Sequence, residues 1–186
     1  MIRRTVALFC VIIAMLSVTA CSSESLEFKG GSEKSAVIET ALNAVFAADG
    51  DAYYSTFPPK VKEDYDALCV VEGTFAGCSS MDDYLKNTVM RVHNDNYGEG
   101  FSLKAEVVEE KKLSVAELDK ISSDPNLDYY TMVRYVTEEN TMEVYGVRLA
   151  LSYDGDLGAE EKEVELYVIN QEGKWYLHPH FVFFGY

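Results

Sequence analysis

The sequence predicts a single α+β domain, with helices in its first half and a meander of antiparallel strands at its end. Three observations carry this prediction. Apolar residues recur at helical spacing early in the chain, at Ile38, Leu42 and Val45 and again at Leu85, Val89 and Val92. The period falls to two after Gly100, where Phe101, Leu103, Ala105 and Val107 alternate with Ser102, Lys104 and Glu106. Two turn sequences, Asp154-Gly155-Asp156-Leu157-Gly158 and Asn170-Gln171-Glu172-Gly173, then separate the last three alternating stretches.

Taken in order, the chain opens with Arg3 and Arg4, an almost unbroken apolar run from Thr5 to Val18, and the small-residue sequence Val18-Thr19-Ala20-Cys21. The run is shorter than the about 20 apolar residues of a bilayer-spanning helix, and it switches abruptly to Ser22-Ser23-Glu24-Ser25, as a cleaved export signal does. The arrangement resembles the lipobox of bacterial lipoprotein precursors. That resemblance implies a diacylglyceryl group on the thiol of Cys21, cleavage just before it, and a lipid-anchored place on the extracytoplasmic face of the cell membrane. Two acyl chains hold stably where one binds only reversibly. The rival reading is a plain secretory signal, which leaves Cys21 as a free thiol. The domain plan is therefore a signal over 1–20, the lipidated cysteine and a flexible tether ending in Gly30-Gly31-Ser32 over 21–32, and one domain over 33–186.

Composition narrows the partners. Removing residues 1–20 takes away Arg3 and Arg4 and no acid, so 14 basic side chains remain against 31 acidic ones, a net charge of −17. Nucleic acid and anionic lipid need basic patches, so both are disfavoured as direct binding surfaces. Cys10 leaves with the signal and Cys21 carries lipid, which leaves Cys69 and Cys78. Outside the cytosol a lone pair closing a short glycine-containing loop reads as a disulfide, and its spacing is not that of a C-x-x-C redox pair.

Within the domain, a helix is predicted over about 33–48, stopped at Gly50, with Asp51 capping a short turn. Pro58-Pro59 breaks the chain, and Val61, Tyr65 and Leu68 give a helical stripe running to Cys69. Ser80-Met81-Asp82-Asp83 resembles a capping box ahead of the Leu85 helix, which Asn94 to Gly100 ends. Ser114-Val115-Ala116-Glu117 opens a short helix ending near Ser122. Residues 127–137 fit both templates, through Tyr129, Met132, Val133 and Val136. Strands follow at about 142–153, with Tyr145, Val147, Leu149, Leu151 and Tyr153 on one face, at about 161–170, and at Lys174-Trp175-Tyr176-Leu177.

This order, with Gly50-Asp51-Ala52-Tyr53-Tyr54 after the first helix and Gly173-Lys174-Trp175-Tyr176-Leu177 at the close, resembles the nuclear transport factor 2-like, cystatin-like α+β fold over residues from about 33 to 184. It is similar in particular to lipoproteins of Gram-positive bacteria that carry one such domain behind a lipobox. The resemblance implies a curved antiparallel sheet wrapped by helices into a cone with a pocket. Some relatives are isomerases or hydrolases, and many only bind a ligand or partner.

The residues themselves name no catalyst. There is no G-x-S-x-G elbow, Walker loop, dinucleotide fingerprint or H-E-x-x-H, and no cofactor motif. His178 and His180 fall on one strand face beside Pro179, but a metal needs further ligands than His93 supplies by any recognisable spacing, so they read as solvated edge residues. Asp154-Gly155-Asp156 with Glu160 and Glu161, and Asn94-Asp95-Asn96 with Glu99, lack the calcium-loop pattern and read as turns. The aromatics are the surplus: Tyr53, Tyr54, Tyr145, Trp175 and Tyr176 are candidates for a ligand pocket or partner surface. The terminal Phe181-Val182-Phe183-Phe184 and Tyr186 need burial or a partner, self-association included. The leading expectation is a non-enzymatic module binding a small ligand or an envelope protein. The alternative is a small isomerase or hydrolase using a buried carboxylate, such as Asp95 or Asp128, with a tyrosine.

Overall fold

The structure, a computed structural model, describes residues 24–63, 77–122 and 136–178. The expectations for Cys21, for Cys69, for the stripe residues Tyr65 and Leu68, for most of 127–137 (Asp128, Tyr129 and Tyr130 included), for Pro179 and His180 and for Phe181 to Tyr186 lie outside those residues.

The first departure from expectation comes at once. Ser25–Lys29 is a strand, β1, that pairs in parallel with β2, Ser102–Leu113, setting Ser25 opposite Ser102 and Lys29 opposite Glu106. The segment expected to be tether thus begins the sheet. Its cause is the alternation of Leu26 and Phe28, both half-buried against the core, which is too brief to stand out between serine, glutamate and glycine.

Helix α1, Glu33–Ala47, starts with a capping box between Ser32 and Ser35 and buries Ile38, Ala41, Leu42 and Val45. It stops at Ala48, in the left-handed region at φ 50°, and not at Gly50. Gly50 instead opens helix α2, Gly50–Ser55, whose N-cap is Asp49 and not Asp51. The glycine is needed for space: its N–H donates to Asp82 Oδ1 at 2.6 Å, and a Cβ there would lie 2.6 Å from the same oxygen. Residues 59–63 are helical again.

Helix α3 runs without a break through an α segment Met81–Tyr84, a π segment Leu85–Met90 and an α segment Arg91–Tyr97. Ser80 caps it by accepting the Asp83 N–H at 3.2 Å. The wider π turn takes up an extra residue, so the buried stripe continues from Leu85 and Val89 to His93 and Tyr97, spaced four apart, and Val92 is only half-buried. Gly98 ends the helix at φ 97°.

Strand β2 carries a bulge between Val107 and Glu109 and leads into helix α4, Val115–Ser122, where Ser114 and Glu117 form the expected box. Strands β3, Glu143–Gly155, β4, Gly158–Gln171, and β5, Lys174–Leu177, complete the antiparallel meander. The sheet order is β1-β2-β3-β4-β5, so the sheet is mixed and not wholly antiparallel, and it curls into a half-barrel.

Residues paired across strands share a face. On one face Leu103, Leu149, Leu151, Tyr153, Leu166 and Val168 are buried. Helix α1 touches β1 and β5, and the end of α3 touches β3 and β4. On the other face the half of the sheet around Ser102, Lys104 and Ser152 is open, whereas toward Gln171 both faces of β4 are buried and α4 packs on β3. No helix among the described residues is long and apolar enough to cross a membrane.

Candidate functional site

The open face of the sheet carries the candidate site, and its shape follows from the register. Glu27, Lys104, Ser152 and Glu161 form one row across β1, β2, β3 and β4; Lys29, Glu106, Ala150 and Glu163 form the next. Small side chains on β3 lie between long charged ones on both sides. The result is a trough of about 480 Å³ floored by β3 and walled by β2 and β4. It continues into a hollow of about 360 Å³ toward Ser102, Asp154, Ala159 and Glu160, with Lys104, Ser152 and Glu161 common to both.

Charge pairing along the walls is uneven. Glu163 is tied to Arg148 at 3.2 Å, which also holds Glu109 at 2.9 Å, and Lys29 lies 3.6 Å from Glu27. Lys104 and Glu161 have no ion-pair partner among the described residues. They flank the Ser152 hydroxyl from opposite sides at two strand spacings, roughly 10 Å apart at the backbone. An ammonium, a hydroxyl and a carboxylate therefore line up across the trough.

The five aromatic candidates fall in three places. Tyr53 and Tyr54 are core residues of α2, 3% and 7% exposed, with Tyr53 edge-on to Phe57 and Lys62 above the Tyr54 ring. Tyr145 and Trp175 meet edge to face at 5.7 Å, half-buried, under the Lys34 ammonium, which sits 4.5 Å from the Tyr145 centroid. Lys34 also pairs with Glu110 at 2.9 Å. Burial pushes the Glu110 carboxyl up, but the Ser32 hydroxyl and the Lys34 ammonium together hold it below its ordinary value. Tyr176 lies on the other face, beside Lys174. Residue type marked these side chains out, while the strand register separates them.

Inside the fold the end of α3 and strand β3 build an aromatic stack. His93, 4% exposed, lies nearly parallel to Tyr153 at 5.4 Å, and Tyr97 stacks on Tyr153 at 4.6 Å. The Tyr97 hydroxyl donates to Glu160. Burial first and the Glu160 bond second push the Tyr97 phenol up to about 12. Burial, then the neighbouring Tyr97 and Glu160, pushes Tyr153 up as well, and its buried hydroxyl has no hydrogen-bond partner among the described residues. The four-residue spacing of Leu85, Val89, His93 and Tyr97 is the sequence signal for this cluster, legible only if a π turn is allowed for.

His178 corrects an expectation. It is 1% exposed and not at a solvated edge, because β5 is closed off by the α2 end: the Leu177 N–H donates to Thr56 O at 2.7 Å and the His178 N–H to Tyr167 O at 2.8 Å. Among the described residues no group of three His, Cys, Asp or Glu is placed to hold a metal ion. Asp154 and Gly155 are the last residues of β3 and Asp156 opens the turn to β4, packed on the end of α3, where a Cβ on Gly155 would lie 2.1 Å from Tyr97 O. Asn94 and Asp95 belong to α3, and the Asn94 amide reaches Glu24 at 3.4 Å. Cys78 is half-buried with its sulfur 3.5 Å from the Thr88 hydroxyl.

Among the described residues the carboxyl groups whose titration is displaced, Asp51, Asp83, Glu110 and Glu117, are displaced downward, through Lys62, Ser79 with Asn87, Ser32 with Lys34, and Ser114 respectively. A general acid at neutral pH needs the opposite displacement. The site and fold define an α+β domain with a charge-lined trough on the open face of a half-barrel sheet. Comparison of the chain with protein-family models, with curated proteins and with solved structures gives no match in any of the three.

Proposed function

We propose that the chain is a lipid-anchored, extracytoplasmic binding module of the nuclear transport factor 2-like type, without enzymatic activity, whose ligand or envelope partner lies in the trough over Ala150 and Ser152. One observation carries the site: Lys104 and Glu161, unpaired among the described residues, face each other across the Ser152 hydroxyl. A ligand with an anionic and a cationic group, such as an amino acid or a short peptide, satisfies both without burying a charge unpaired. The anchor rests on Arg3, Arg4, the apolar run and Cys21, and the fold type on helices followed by a curled meander.

Thermal unfolding of the purified domain with amino acids, dipeptides and tripeptides tests the site. Ligand at 100 times its Kd stabilises by about 2.7 kcal/mol, a rise of several degrees. Lys104→Ala combined with Glu161→Ala should abolish the rise while leaving the unliganded melting temperature in place. A rise that survives the double substitution places binding elsewhere, and no rise with any of these ligands removes the zwitterion class.

A further inference from the structure

The early start of β1 limits how far Cys21 can lie from the sheet. Ser25 is paired in the sheet, and Cys21 precedes it by four Cα steps, a reach of at most about 14 Å. Ser25 stands opposite Ser102, which stands opposite Asp154, which stands opposite Ala159. The starts of β1 and β2 and the β3–β4 turn therefore form one rim. The end of α3 joins it through the Leu157 N–H, which donates to Tyr97 O at 3.0 Å. Leu157, on the turn, is 69% exposed. The other strongly exposed large apolar side chain among the described residues, Met142 at 73%, lies next to Glu143 at the far end of β3. Thirteen residues of strand put roughly 40 Å between the two ends.

We infer that the rim of Ser25, Ser102 and the Asp154–Gly158 turn rests on the lipid headgroups of the bilayer, with Leu157 as its apolar contact. This rests on the reading of Cys21 as the lipid anchor. The trough opens on the sheet face beside that rim, so it is presented sideways, close above the membrane, and β1, whose Glu27 and Lys29 line its outer edge, is the strand directly joined to the anchor. The rim also carries Glu24, Asp154 and Asp156, which confines the contact to the headgroup layer and favours a zwitterionic lipid surface over an anionic one.

The test uses the full chain, processed and lipidated in cells, purified and reconstituted in phosphatidylcholine vesicles doped with a lipid whose headgroup carries a photoactivatable diazirine. After irradiation, cross-linked peptides are mapped by mass spectrometry. Cross-links should be several-fold more abundant on 24–26, 98–103 and 154–159 than on 140–143 and 172–174. Inserting a Gly/Ser coil of about 15 residues after Ser23, with a reach of about 20 Å, should erase that bias while the protein stays membrane-bound. Leu157→Asp should reduce the yield on the turn peptide, and Met142→Asp should leave it unchanged. Even labelling of both ends of a membrane-held domain overturns the orientation alone, and an unchanged yield in Leu157→Asp overturns the apolar contact. A chain absent from the membrane fraction before irradiation overturns the anchor and the orientation with it.

Discussion

The hydroxyl of Tyr97 donates to the carboxylate of Glu160, tying the last turn of α3 to the start of β4 beneath the stacked Tyr153 ring. Glu160 is part-exposed, so the bond falls short of the about 1.5–3 kcal/mol of hydrogen bonds to charged groups, and Tyr97→Phe should cost about 1 kcal/mol in urea unfolding while keeping the stack. The same residue sets an alkaline limit. Its folded pKa of about 12 stands above the ordinary phenol value of about 10, so the native state binds this proton more tightly than the unfolded chain does. The resulting stability is whole below about pH 10 and is lost as pH rises through about 12. Tyr153 and Tyr167 are displaced in the same direction. Melting temperatures measured from about pH 8 upward should hold to about pH 10 and then fall, less steeply in Tyr97→Phe.

Gly50 is a packing glycine between α2 and α3. Its missing Cβ would meet Asp82 Oδ1 at 2.6 Å and Met81 Cβ at 2.8 Å. Gly50→Ala should therefore destabilise by about 1–3 kcal/mol despite the better helix propensity of alanine. A chemical-denaturation midpoint equal to that of the parent would show that the α2–α3 contact gives way without cost.

Filling the trough separates binding from folding. Ala150 is half-buried on the open face, and Ala150→Phe lays a ring over the β3 floor without entering the core. Stability should stay within about 0.5 kcal/mol of the parent, while the ligand-induced rise in melting temperature disappears. A variant that still responds to ligand would move the site away from this face.

The lipidation and disulfide roles expected of Cys21 and Cys78 should act independently. Cys78→Ser removes the expected bridge to Cys69 and should cost about 2–3 kcal/mol, as should reduction of the parent protein. Cys21→Ala should leave unfolding unchanged and shift the chain out of the membrane fraction. Equal thermal stability of the oxidised and reduced parent would argue against the bridge.

Much of the fold was legible because its periodicities are long. The stretch from Tyr145 to Tyr153 and both turn sequences identify β3, β4 and β5, the spacing of Ile38, Leu42 and Val45 identifies α1, and the Ser80 and Ser114 caps mark α3 and α4. Strand β1 was hidden because two apolar residues make no pattern, and its partner is distant in sequence. The phase of α3 was hidden because 3.6-residue spacing selects Val92, whereas the π turn selects His93. The trough has no motif at all. It arises from cross-strand neighbours, Lys104, Ser152 and Glu161, and depends on registers that composition leaves open.

The parallel pairing of β1 with β2 also has a consequence in time. In chain order β1 precedes the other described strands, yet it has nothing to pair with until β2 has followed, after α1, α2 and α3 have all appeared. Closing so long a loop is slow and entropically unfavourable, so local helix formation and the β3–β4 hairpin run ahead of it. The first strand of the described sheet is thus the last to find its place. Until it docks, Leu26 and Phe28 stay uncovered, a window in which a folding helper or a protease finds its opening.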